Sequence, residues 1–249
     1  LNESVTNVSL YEFDATINGS VEVGKPVKWV SRINKSKIND VVLPSETFNI
    51  TSNNDNLKIR IRNQNLSVKD YNLVKEKDLF KKELEISKIR YDKESKKNVK
   101  KDKKGKVVEN KVSTDLNTKI SSLTAQINSL NTVNVSVDEN ITLTLDNSSN
   151  VSELVDLEYF TEGPTSTETE TNSFNKKVVV SSNLHYTNIK AFTDIVEAKR
   201  EMINLYWDTP SGVIKIDDIN YLDTNNNSLI DRIEWTVPHL SNETYTVNI

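Results

Sequence analysis

A change of period in the middle of the chain sets the tightest limit on its fold. On either side, apolar and polar residues alternate at every second position. Leu57-Lys58-Ile59-Arg60-Ile61-Arg62 does so strictly, giving a strand with one apolar and one basic face. Val133–Val137, Ile141–Leu145 and Val155–Phe160 follow the same rule. Between them Leu116, Ile120, Leu123, Ile127 and Leu130 recur at spacings 4-3-4-3, a heptad seam. A period of two cannot serve a helix, nor a heptad a strand. The expected fold is therefore mainly β with an α insert: β-sandwich-like domains interrupted by a helical hairpin or coiled coil.

Three regions follow from this reading. Residues 1–66 form an N-terminal β region, 67–131 a charged helical hairpin, and 132–249 a C-terminal β-sandwich-like domain. Half of all Lys and Arg lie between Lys69 and Lys111, mixed with Asp and Glu of good helix propensity. Glu76, Glu83 and Glu85 stand near Lys81, Lys82 and Lys88 at spacings that include i,i+3 and i,i+4. A Lys-rich tip, Lys96–Lys106, separates two helical stretches. The heptad seam is too short to stand alone in water. Its partner is either the first helix or the same helix of a neighbouring copy.

The C-terminal region reads as many short strands with turn signals, the pattern of a sandwich. Val178–Val180, Leu205–Trp207, Val213–Ile216, Ile233–Val237 and Tyr245–Ile249 are strand candidates. Ile189–Met202 fits a short helix or a loop with a turn. The last strand is expected to offer a free edge to a neighbour.

Composition removes several classes of chemistry. There is no cysteine, so disulfides, thiolate metal sites and cysteine nucleophiles are excluded. The two histidines, His185 and His239, fit neither a triad nor a zinc site. Five glycines give no phosphate loop. A net charge of −4 and lysines without interleaved aromatics argue against nucleic acid as a partner. No run of about 18 apolar residues exists, so no membrane-spanning helix is expected. Asp217-Asp218 resembles a glycosidase pair by residue type alone and reads better as turn solvation or an outer calcium ligand. No catalytic residue and no enzymatic activity are expected. The chain begins at Leu1, which suggests a removed signal peptide or a fragment.

One loop does carry a ligand pattern. Asp223–Glu234, DTNNNSLIDRIE, places oxygen donors at positions 1, 3, 5, 9 and 12: Asp223, Asn225, Asn227, Asp231 and Glu234. Leu229 at position 7 offers a backbone carbonyl. This is the spacing of a twelve-residue calcium loop, suited to a hard cation that takes six to eight oxygens. Ser228 stands at position 6, where the turn favours Gly. The competing reading is an Asn-rich turn whose Asp231 and Glu234 face water. Trp235–Pro238 looks extended, so the loop feeds a strand rather than a helix, and Ca²⁺ would be structural.

Twelve N-x-[ST] sequons start at Asn2, Asn7, Asn18, Asn34, Asn49, Asn65, Asn134, Asn140, Asn147, Asn150, Asn226 and Asn242. No middle position holds Pro, so each is an acceptor for N-linked glycans in a secreted protein. None falls between Ser67 and Val133.

Three blocks carry a resemblance: Gly24–Val30; Glu158–Pro164 with Val178–Tyr186; and Asp223–Asn227 running into Glu234-Trp235-Thr236-Val237-Pro238-His239-Leu240-Ser241. Together they resemble large predicted cell-surface proteins of DPANN archaea, of the Woesearchaeota and Pacearchaeota type. There the third block usually reads D-x-[DN]-G-[DN]-G-x-I-D-x-[IV]-E-W-x-V-P-H-L-S, and a charged helix-rich insert separates the β segments. Here Asn226 and Ser228 replace the two glycines. The resemblance implies an extracellular, cell-surface location rather than a reaction. The expected function is that of a glycosylated archaeal structural protein that assembles with copies of itself into a surface layer, sheath or filament. The alternative is a monomeric adhesin or carbohydrate-binding module, for which Trp29, Trp207 and Trp235 are the candidate aromatics.

Overall fold

The computed structural model describes residues 15–35, 40–62, 64–97, 100–101, 107–108, 111–133, 135, 140–145, 154–172, 174–240 and 242–249. Between 97 and 111 only backbone is described. In chain order the elements begin with β1 (Ala15–Ile17), β2 (Val27–Asn34), β3 (Asp40–Leu43), β4 (Thr47–Ser52), β5 (Lys58–Ile61) and β6 (Gln64–Ser67). Next come α1 (Val68–Lys97), β7 (Lys100–Lys101), β8 (Val107–Val108) and α2 (Lys111–Ser129). Then follow β9 (Ile141–Thr144), β10 (Leu154–Thr161), β11 (Thr165–Asn172), β12 (Asn175–Ser181) and β13 (Thr187–Ala198). The last are β14 (Asn204–Thr209), β15 (Gly212–Ile216), β16 (Ile219–Leu222), β17 (Ile230–His239) and β18 (Asn242–Asn248). The fold is mainly β, in antiparallel sheets, with two long packed helices inserted.

Contacts divide the chain into two compact units, 1–38 with 152–249, and 39–151. In the first, β2 runs antiparallel to both β1 and β10. A five-stranded sheet has the order β11-β12-β18-β14-β15, and a three-stranded sheet the order β13-β17-β16. These two lie face to face. Trp235 of β17 meets Tyr245 of β18 at 5.2 Å between ring centroids, and Lys176 Nζ of β12 donates to the Asp194 carbonyl of β13 at 2.6 Å. Between the sheets lie Val178, Val180, Leu205, Ile189, Ile233 and Val237, all fully buried. Each comes from an alternating strand, so one face of each sheet is apolar.

Two expectations are corrected here. The last strand has no free edge, because β18 is bonded on both sides, to β12 and β14. Its Tyr245 and Val247 are buried, and its pairing on both sides places it mid-sheet. Ile189–Met202 is neither short helix nor loop. It is β13 followed by a single 3-10 turn, Arg200–Met202, because Ile189, Ala191 and Thr193 alternate inward. At 133–137, Val133 and Val135 lie outside any strand, and the remaining residues lie outside the described ones.

A directional chain of hydrogen bonds runs through the buried part of the first unit. Trp29 Nε1 donates to Thr161 Oγ1 at 2.8 Å. Thr161 Oγ1 lies 2.8 Å from Tyr186 Oη, and Tyr186 Oη donates to the Glu162 carbonyl at 2.9 Å. The only consistent polarity has Thr161 donating to Tyr186. Trp29 also stacks on Tyr159, with centroids 6.2 Å apart. Next to this chain, Gly163 presses on the Lys25 backbone so closely that a Cβ would stand 1.8 Å from the Lys25 oxygen.

In the second unit the sheet order is β3-β9-β5-β6, and Val41, Leu43, Ile59, Ile61, Ile141 and Leu143 fill its apolar face. Ser67 caps α1. The Asp70 N–H donates to Ser67 Oγ, an N-cap bond, and Ser67 Oγ in turn donates to the Asp70 carboxylate. One turn further on, Asn72 meets the Ile50 N–H and C=O of β4 with its side-chain amide, both at 2.8 Å, and so acts as a short stretch of strand. Tyr71 Oη donates to the Thr47 carbonyl at 2.6 Å.

The partner of the heptad seam is α1. Lys77 Nζ donates to the Leu130 carbonyl, and Lys119 pairs with Glu83 at 2.7 Å, which sets the helices antiparallel. Along α1, Ser87 is buried and Phe80, Leu84 and Tyr91 are half-buried, at spacings 4-3-4 that match the seam. On the outer face of α2, Thr118, Ser121 and Thr124 donate to carbonyls four residues back.

Two substitutions test this account by chemical denaturation of the whole chain. Thr161→Val keeps the shape but strands the Trp29 N–H and breaks the route from Tyr186, for an expected loss of about 1–3 kcal/mol. Gly163→Ala forces the backbone apart and costs about 2–3 kcal/mol or prevents folding. Equal stability of either variant and the parent would contradict the packing described.

Candidate metal centre

The loop between β16 and β17 joins two paired strands, with Leu222 opposite Arg232 and Asn220 opposite Glu234. Within it the side chains fold back on the backbone. The Asp223 carboxylate accepts the Asn227 N–H at 3.1 Å and the Ser228 N–H at 2.7 Å. Asn225 Oδ1 accepts the Asn227 N–H at 3.1 Å, and Asn227 Oδ1 accepts the Leu229 N–H at 2.9 Å. Asp231 takes Thr224 twice, by its N–H at 3.0 Å and its hydroxyl at 2.6 Å.

Asn226 and Ser228 adopt positive φ, 59° and 71°. These are loop positions 4 and 6, and position 6 is the one at which a twelve-residue calcium loop favours glycine. The backbone takes the turn that glycine allows, at a steric cost that Asn tolerates better than Ser.

Five of the six expected ligands are thus gathered in one loop: Asp223, Asn225, Asn227, Leu229 and Asp231. Glu234 sits in the ladder instead, where its carboxylate accepts Asn220 Nδ2 at 3.1 Å. A different carboxylate closes on the loop. Glu197 of β13 accepts Asn225 Nδ2 and Asn227 Nδ2, each at 2.8 Å. It arrives there because Ala198 pairs with Ile230, past a register shift in β13 that begins after Asp194. Nothing local in the sequence marks Glu197; only the pairing of two distant strands brings it in. Among the described residues, no group of three or more His, Cys, Asp or Glu is arranged to hold a metal ion. The loop's other donors are amide and carbonyl oxygens, which suit a hard cation. The same oxygens also cap the turn without one.

The sequon asparagines divide by position. Asn18, Asn49, Asn65, Asn140, Asn226 and Asn242 are exposed, and Asn34 is half-buried in β2. Asn2, Asn7, Asn134, Asn147 and Asn150 lie outside the described residues. Of the tryptophans, Trp29 and Trp235 are core residues, each 3 % exposed. Trp207 is half-buried, stacked on Tyr245 and edge-on to His239, with its Nε1 on Glu243 at 2.8 Å. No helix among the described residues is long and apolar enough to cross a membrane. Comparison with family models, with curated proteins and with solved structures finds no match.

The two Thr224 bonds hold the Asp231 carboxyl below the usual carboxylate range. A lowered folded-state pKa means the ionised form steadies the loop at neutral pH. That contribution is complete above the ordinary value of about 3.9 and fades as the pH falls through the lowered one. Carboxyl NMR titration should therefore place the Asp231 midpoint below that of a free Asp, and Thr224→Ala should move it back up. A midpoint that ignores Thr224→Ala would show that the bonds do not hold the loop.

Proposed function

We propose that this chain is a secreted, N-glycosylated archaeal cell-surface structural protein, assembling with copies of itself into a surface layer, sheath or filament and stabilised by calcium. The observation that carries the reading is the sequon set. Twelve acceptors are spread through the chain, and six of the seven described ones present their asparagine to solvent. Glycans on those faces would keep an assembly hydrated and block wrong contacts. The sequon-free stretch from Ser67 to Val133 includes the α1–α2 hairpin and leaves it free for protein contacts.

Calcium enters through the β16–β17 loop. Asp223, Asn225, Asn227, the Leu229 carbonyl and Asp231 are the proposed ligands, with Glu197 beside them; Glu234 would have to leave Asn220 to complete the set. Bound there, the ion would fix the hairpin to β13 and so join all three strands of one sheet. The reading as a monomeric carbohydrate-binding adhesin is weaker. It asks for a groove of exposed aromatics, and two of the three tryptophans are in the core.

Three measurements test the proposal. Glycopeptide mass spectrometry of the protein from its native source should find hexose-bearing Asn at several exposed sequons; bare asparagines throughout would refute secretion with N-glycosylation. Purified chain should show ordered polymers by negative-stain microscopy that disperse in EGTA. Saturating Ca²⁺ at about 100 times its dissociation constant should add about 2.7 kcal/mol to stability. Isolated particles and an unchanged melting curve in both conditions would count against assembly and against calcium.

A further inference from the structure

The two edges of the five-stranded sheet are built differently. β11, Thr-Ser-Thr-Glu-Thr-Glu-Thr-Asn, has no large apolar side chain. Its Glu168 turns inward, where it takes Lys176 Nζ at 2.9 Å and Thr193 Oγ1 at 2.6 Å. A charge pointing inward from an outer strand discourages further pairing. The opposite edge, β15, has no such guard. It reads Gly-Val-Ile-Lys-Ile, with Val213 66 % and Ile214 48 % exposed. It is bonded to β14 alone, with Trp207 opposite Ile214 and Thr209 opposite Gly212. Thr209 and Gly212 close a two-residue turn, and the closing pair of such a hairpin is a hydrogen-bonded one. Alternation then directs the backbone groups of Val213 and Lys215 away from β14. No sequon lies between Val151 and Asn225, so neither β15 nor its neighbour β14 carries an acceptor.

We infer that β15 is a self-pairing edge, at which two copies of this chain join antiparallel about a twofold axis through Ile214 to give one continuous ten-stranded sheet. Centring on Ile214 sets Val213 opposite Lys215 of the second copy, through backbone groups that both point outward. It also brings the two Ile214 side chains together. Centring on Lys215 instead would set like charges face to face. The contact is isologous and closes at two copies. The outer strands of the joined sheet are then both β11, the guarded edge, so the sheet does not grow further. A pair of five-residue strands buries well under the roughly 1,200 Å² of a standard interface, so the dimer is weak in dilute solution. The inference rests on the assembly reading to this extent: many copies side by side on a surface would raise the effective concentration at this contact.

The test uses the full chain in sedimentation velocity over a concentration series, with circular dichroism to verify folding. The parent should show a monomer–dimer equilibrium. Val213→Lys sets a second positive charge against Lys215 and should raise the dissociation constant at least about tenfold. Val213→Glu sets an opposite charge there and should leave binding equal or tighter, with the gap between the two variants narrowing at high salt. A parent that stays monomeric at every concentration overturns the inference, as does equal weakening by both charges, the mark of a merely apolar patch. The assembly reading is separable from this one. Polymers that form unchanged with Val213→Lys would overturn the β15 contact and leave assembly standing. Dimers that pass the charge test without any polymer would do the reverse.

Discussion

The first unit hangs on one buried side chain, Thr161. Its hydroxyl accepts from Trp29 and faces Tyr186, which passes the polarity on to the Glu162 carbonyl. A hydroxyl is the only small group able to accept and donate at once. Around it meet β2, the end of β10 and the segment entering β13. The Leu240 N–H adds a fourth strand end by donating to the Tyr186 carbonyl at 3.0 Å. The segments around Trp29, Thr161, Tyr186 and Leu240 therefore share one centre. Trp29, Thr161 with Gly163, Tyr186 and Leu240 are far apart in the chain and adjacent in space. Their spacing in sequence reflects the need to reach that centre, where Trp29 Nε1, Thr161 Oγ1 and Tyr186 Oη each have a partner, as burial demands.

Much of the fold was legible because it is carried by periodicity. The alternation in 57–62, 141–145 and 155–160 gives β5, β9 and β10, and the seam from Leu116 to Leu130 gives α2. The α1 side of that seam was hidden. Its inward positions include Lys77 and Ser87, which interrupt the rhythm of Phe80, Leu84 and Tyr91, and the surrounding charges mask the face. Strand order was hidden too. Tyr245 and Val247 alternate as an outer or a central strand would; only the pairing with β12 and β14 decides between them. Of the candidate ligands, those close in sequence were readable, because a tight loop brings its own residues together. Glu197 was not, since it depends on a bulge in one strand and the register of another.

The β16–β17 loop shows how one set of oxygens can serve two ends. Asp223, Asn225 and Asn227 turn inward whether they meet backbone N–H groups or a cation, because both are positive. The positive φ at Asn226 and Ser228 is the strain this geometry requires of residues with a Cβ. Glycine would relieve it, so the loop keeps its shape through side-chain bonds rather than backbone ease. Arg232 reinforces the same corner from β17, bonded to Asp194 at 2.7 Å and lying over the Phe192 ring.

The hairpin of α1 and α2 is not uniform along its length. Near its base Tyr71 and Val74 are sealed in, and Asn72 is stitched to β4. Farther out, Ser87 occupies an inward position while Ile86 and Ile89 face solvent, 53 % and 61 % exposed. Grip is therefore concentrated at one end. Thermal motion would open such an arm from its far end inward, as a zipper opens from its loose tab, while the base stays shut. Amide protons would then exchange with solvent along a gradient, quickest toward the C-terminal end of α1 and slowest beside β4.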